Sequence, residues 1–97
     1  MYFLNSNVKN ILIIYDIRND KRRRKLVKIL ESYGIRVQYS AFEFQLSNTI
    51  YQKMFLKIKK VISMEDSVKI YIFNANTQTI SLGCESDLTK FDDFTVL

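Results

Sequence analysis

Residues 37–46 read Val-Gln-Tyr-Ser-Ala-Phe-Glu-Phe-Gln-Leu, a run rich in strand formers. Its alternation changes phase midway. Val37, Tyr39 and Ala41 share one face, whereas the bulky Phe42, Phe44 and Leu46 fall on the other. A one-residue slip turns every side chain to the opposite face of a sheet, so a single straight strand cannot serve both sets. The segment reads as two short strands with a tight kink near Ser40–Ala41.

Upstream, Asn10 to Asp16 (NILIIYD) is a continuous apolar run with β-branched residues, the pattern of a strand buried on both faces. Asp20 is a plausible N-cap. From Lys21, the apolar residues Leu26, Ile29, Leu30 and Tyr33 follow helical spacing, and Gly34 supplies a helix stop. Downstream, Ser47-Asn48-Thr49 marks a helix start, with Thr49 and Gln52 spaced for a capping box. The helix after it places Tyr51, Met54, Phe55, Ile58, Val61 and Ile62 on one stripe and Lys53, Lys57 and Lys60 opposite. Ser67 to Phe73 (SVKIYIF) alternates as a strand, and a weaker strand over Thr79–Leu82 precedes an acidic tail.

The order is β-α-β-β-α-β plus a short C-terminal strand. Two helices over so small a sheet should cover one face of it, which gives an α+β, ferredoxin-like sandwich. The other sheet face then carries Tyr, Phe and Ile side chains with nothing over them. Self-pairing into a two-fold dimer is the common solution.

Composition narrows function. Ninety-seven residues, 47% hydrophobic, suffice for one domain spanning 1–97 and are too few for two. The start, MYFLNSNVK, lacks the apolar core and cleavage site of a signal peptide. No apolar run approaches the roughly 20 residues that span a bilayer. A lone cysteine, Cys84, excludes an intrachain disulfide and suits a reducing cytoplasm. The absence of histidine removes the usual general base and zinc ligand. Residues 1–69 carry 14 Lys/Arg against 6 Asp/Glu, net +8, while residues 70–97 carry 1 against 4, net −3. A basic body of this kind suggests a polyanionic partner.

The cations concentrate in Lys21-Arg22-Arg23-Arg24-Lys25, just after the strand ending in Asp16. At about 100° per residue, Lys21, Arg24, Lys25 and Lys28 project from the apolar stripe into solvent, while Arg22 and Arg23 lean back toward the sheet. Cations in the first turns of a helix typically cost a few tenths of a kcal/mol each, a cost offset when an anion docks there. The structural alternative for Arg22 and Arg23 is an ion pair with Asp16 or Asp20. Phosphodiester cleavage without histidine points toward a divalent metal held by carboxylates. One Asp16 is a poor metal site; two copies meeting across a dimer axis make a better one.

An ordered set of short motifs now matters together: Tyr15-Asp16, then Asp20 with Arg22-Arg23, Tyr33-Gly34, the run Arg36-Val37-Gln38-Tyr39-Ser40-Ala41-Phe42-Glu43, Leu46-Ser47 and Leu82-Gly83. In this order and spacing the chain resembles the small CRISPR-associated adaptation proteins, the Cas two family, along nearly its whole length. Ala41 stands where that family usually has valine.

The resemblance implies a ferredoxin-like homodimer whose last strand packs on the neighbouring protomer. It implies that Asp16 lies near the dimer axis and binds Mg2+ with its symmetry mate. It also implies a dimer that bridges two dimers of the CRISPR integrase and holds prespacer DNA during spacer acquisition. Lys21, Arg22, Arg23 and Lys25 are then phosphate contacts on double-stranded DNA. Members have also been described as metal-dependent endonucleases on RNA or double-stranded DNA. In that role Asp16 is the metal ligand, Arg23 neutralises charge at the scissile phosphate, and Ser40 and Phe42 position the site from the adjoining strand. An alternative with the same fold is an RNA-cleaving toxin of the VapD-like type. An RNA-recognition module fits less well, because SAFEFQL lacks the glycines and basic lead of its base-stacking strand.

Overall fold

The structure is a computed structural model that describes residues 8–73 together with Ile80 and Leu82. Within it the chain runs β1 (Val8–Asp16), α1 (Asp20–Glu31), β2 (Ile35–Gln38), β3 (Ala41–Ser47), α2 (Asn48–Val61) and β4 (Ser67–Phe73). The four strands form one antiparallel sheet in the order β2-β3-β1-β4, the ferredoxin-like α+β arrangement expected from the sequence. Thr79 and Ser81 of the expected strand over Thr79–Leu82 fall outside the described residues, as does the acidic tail.

The phase change in residues 37–46 is a break between β2 and β3, which pair with each other through a register shift between Arg36 and Gln38. β1 is central. Ile13 stands opposite Phe42 on one side and Ile70 on the other, and Ile11 stands opposite Phe44 and Ile72. Ile11, Ile13 and Tyr15 are therefore buried with Phe42, Phe44 and Leu46 under the helices. The intervening residues of β1 (Leu12, Ile14 and Asp16) point to the uncovered face. There Leu12 and Ile14 are only half-buried, Asp16 is exposed, and Tyr71 on β4 is 43% exposed.

The helices close the core with Leu26 and Leu30 from α1 and Met54 and Ile58 from α2. Both N-caps differ from the sequence expectation. Asn19, not Asp20, caps α1, accepting the Arg22 N–H at 2.9 Å from an extended backbone. Asp20 instead enters the first turn, where a negative charge complements the helix dipole. Strand β3 runs directly into α2, so Ser47 becomes the cap and accepts the Ile50 N–H at 3.2 Å. Thr49 lies past the capping position.

Gly34 ends the turn after α1 by donating to the Leu30 carbonyl at 2.9 Å. Its second role is steric. A Cβ at this position would lie 2.3 Å from the Glu43 carbonyl oxygen and 2.3 Å from the Phe44 ring, well inside contact distance. Gly34→Ala should therefore destabilise the protein by about 1–3 kcal/mol, the usual cost of overpacking. A urea titration checks this, and an unchanged midpoint would contradict the close approach.

Candidate functional site

At the end of β1 the chain turns from sheet to α1, and polar groups collect on both sides of the turn. Tyr15 is almost completely buried, at 3% exposure, and a buried phenol needs partners for its hydroxyl. It donates to the Tyr39 carbonyl at 3.2 Å and accepts from Arg36 Nη2 at 3.3 Å. Arg36 also donates to the Tyr39 carbonyl through Nε and Nη2 at 3.1 and 2.8 Å. Its guanidinium lies 5.6 Å from the ring centroids of both Tyr39 and Phe42. Phe42 is thus a core residue, fully buried, that supports Tyr15 and Arg36 from below. Ser40 is half-buried in the turn before β3 and accepts the Tyr15 N–H through its carbonyl at 3.1 Å.

The two arginines that lean toward the sheet have different partners. Arg23 donates to the Ile17 carbonyl at 3.0 Å and pairs with Asp20 at 2.6 Å, one of the two pairings considered from sequence. Arg22 pairs with neither Asp16 nor Asp20. Its Nε and Nη2 grip Asp66 side-on at 2.8 and 3.1 Å, and Nη2 also meets Glu65 at 2.6 Å.

The Asp66 side chain is 1% exposed and additionally accepts the Ser63 N–H at 2.8 Å. The fork therefore ties the first turn of α1 to the loop entering β4. The Arg22 guanidinium hydrogen-bonded to it, reinforced by the Ser63 N–H, holds the Asp66 carboxyl below its ordinary value. Asp66, ahead of Glu65, in turn raises the affinity of Arg22 for its proton.

Arg22, Glu65 and Asp66 form one wall of an open cleft of about 530 Å3 that Asp16, Arg18, Asn19 and Ser67 complete. The cleft exists because β4 pairs with β1 in the register that sets Asp16 opposite Ser67. Asp16 is exposed and makes no ion pair among the described residues. No group of three or more acidic or cysteine side chains suited to a metal occurs among those residues. Glu65 and Asp66 are committed to Arg22, so among the residues lining the cleft Asp16 is the one carboxylate without an ion pair. A magnesium ion keeps several waters and uses only one or two carboxylates. Asp16 supplies one such carboxylate, and the Asp16 of a second copy would supply another.

Of the candidate phosphate contacts, Lys21 and Lys25 are exposed and unpaired among the described residues, whereas Arg22 and Arg23 are engaged by carboxylates. Arg18, Arg24 and Lys28 are equally exposed and unpaired, and extend the same basic surface. Sequence reasoning missed Arg36 as an organiser of Tyr15 and missed Glu65 and Asp66 altogether. The signal for the acidic pair is its place just before Ser67, which antiparallel pairing brings beside the end of β1.

No helix among the described residues is long and apolar enough to cross a membrane. The sequence profile of the family described as CRISPR associated protein Cas2 matches residues 9–79. The chain is 41% identical over 81 residues to a Synechocystis protein called CRISPR-associated endoribonuclease Cas2 3, covering 81% of this chain and 88% of the relative. A crystal structure titled as that of Cas2 superposes with a TM-score of 0.70 at 28% identity, covering 82% of this chain and 92% of the other. A chain in a partial Cas6-RT-Cas1–Cas2 complex superposes with a TM-score of 0.54 at 32% identity, covering 74% and 90% respectively.

Because the Asp66 carboxyl titrates below its ordinary value of 3.8 in the folded state, the stability it contributes is fully present above the unfolded value. It is lost as the pH falls from there through the lowered folded value. Asp66→Asn should lower stability at about pH 7 and flatten the loss that wild type shows below about pH 4. Denaturant titrations across that range check both, and an unchanged acid limb would contradict the assignment.

Proposed function

The chain belongs to the CRISPR-associated Cas2 family, and from that premise we propose that it acts in spacer acquisition as a homodimer. The dimer holds double-stranded DNA on its basic surface and bridges copies of the integrase, Cas1. The observation that carries this reading is the run of exposed, unpaired cations Lys21, Arg24, Lys25 and Lys28 along α1. Such a surface touches phosphates without reading bases, which suits a protein that must accept DNA of any sequence. The half-buried apolar side chains of the uncovered sheet face supply a surface for a second copy. The solved relative in a Cas1–Cas2 complex supports the partnership with the integrase.

The endoribonuclease name of the similar Synechocystis protein supports a second capacity of the same dimer, cleavage of a phosphodiester in RNA or double-stranded DNA. Asp16 from each copy would hold Mg2+, which when bound supplies an activated water and neutralises phosphate charge. Arg23, steadied by Asp20 and the Ile17 carbonyl, would place positive charge at the scissile phosphate. Phe42 and Ser40 act at one remove, by fixing Tyr15 and Arg36 at the strand end.

Asp16→Ala should abolish magnesium-dependent cleavage and leave duplex binding and integration intact. Loss of integration while Cas1 still binds would count against a scaffold separate from the catalytic pair. Replacing Lys21 and Lys25 with Gln should weaken duplex binding and make the plot of log K against log salt shallower by about 0.9 for each phosphate that is no longer neutralised. An unchanged slope in a fluorescence anisotropy titration would remove α1 from the interface.

A further inference from the structure

A guanidinium has five N–H donors and two edges able to take a two-pronged acceptor. Asp66 occupies the side-on edge of Arg22 through Nε and one hydrogen of Nη2, at 2.8 and 3.1 Å. Glu65 takes the other Nη2 hydrogen at 2.6 Å, and Nη1 has no partner among the described residues. The end-on edge, formed by Nη1 and Nη2, is thus half filled by one oxygen of a side chain that is 73% exposed. Arg22 is itself 24% exposed and lines the open cleft beside Arg18 and Asn19.

We propose that this end-on edge of Arg22 is a phosphate-binding notch, with Asp66 holding the guanidinium in place and Glu65 standing where a nucleic-acid phosphate goes. The two carboxylates therefore have unequal roles. Asp66 is buried, receives two hydrogen bonds from Arg22 and one from the Ser63 N–H, and stays. Glu65 makes a single exposed contact of the kind worth little in water, so a phosphate able to accept from both Nη1 and Nη2 displaces it.

Glu65 then sets the affinity of this one contact. It weakens binding of isolated or poorly placed phosphates and yields to one delivered by a duplex already seated on Lys21 and Lys25. The inference rests on the reading that this basic surface binds nucleic acid.

A double-mutant cycle tests it, using a fluorescein-labelled mixed-sequence DNA duplex and the full chain. Glu65→Gln should tighten binding by roughly two- to five-fold, the range expected from releasing one exposed ion pair. That gain should disappear in an Arg22→Gln background, with thermal melts showing both variants folded. An equal gain in both backgrounds would reduce Glu65 to a distant charge and overturn the notch, as would no gain in either. Absence of duplex binding by every variant would overturn the nucleic-acid reading itself, and the notch with it.

As a measurement that leaves Arg22 in place, the guanidinium resonances of Arg22 should shift on adding the duplex to Glu65→Gln while its Nε–H stays slow to exchange. Unchanged resonances would contradict phosphate binding at this edge, and a rapidly exchanging Nε–H would contradict the holding role of Asp66.

Discussion

Strand β1 is hydrogen-bonded along both edges, with Ile13 opposite Phe42 on one side and opposite Ile70 on the other. That double register fixes which residues face the helices and which face outward, because the side-chain period of a strand is two. Ile11, Ile13 and Tyr15 enter the core. Leu12, Ile14 and Asp16 are turned to the uncovered face by the same alternation. A slip of one residue would bury the carboxylate and expose Ile11, Ile13 and Tyr15, which the core energetics forbid. The position of Asp16 on a surface open to a second copy is thus a consequence of burying its neighbours.

The end of β1 is then held in shape from two sides. On the β3 side, Arg36 and the Tyr39 carbonyl satisfy the buried Tyr15 hydroxyl. On the β4 side, the Arg22–Asp66 fork anchors α1. The cations of the first helical turns consequently divide by partner. Arg22 and Arg23 are paired and organise the turn, while Arg18, Lys21, Arg24, Lys25 and Lys28 are exposed and make no ion pair among the described residues. Pairing some cations also relieves the repulsion that five consecutive charges at a helix N-terminus would otherwise impose.

Most of the fold was legible because its signals are local. The phase change at Ser40–Ala41 separated β2 from β3, and the stripe through Met54 and Ile58 marked α2. The caps moved by one or two residues because β3 passes into α2 without a loop and because Asn19, rather than Asp20, keeps an extended backbone. Gly34 was recognisable as a helix stop, but its closeness to Glu43 and Phe44 depends on how α1 returns to the sheet. The site was legible only where its parts are adjacent in sequence. The partners of Arg22 lie 43 and 44 residues away, and only the pairing of Asp16 with Ser67 brings them near. Sequence geometry placed Arg22 on the correct side of the helix and could not say which acid waited there.

In the proposed function, a composite metal site built from one carboxylate per copy would tie the uncovered sheet face to chemistry. The most direct measurement is a crystal structure of the protein grown with Mg2+, in which the separation of the two Asp16 carboxylates is read across the two-fold axis. The prediction is that both lie close enough to ligate one ion at about 2.0–2.1 Å each, a gap of roughly 4–5 Å. A dimer formed through another surface, or one that holds the two carboxylates much farther apart with the ion elsewhere, would contradict it.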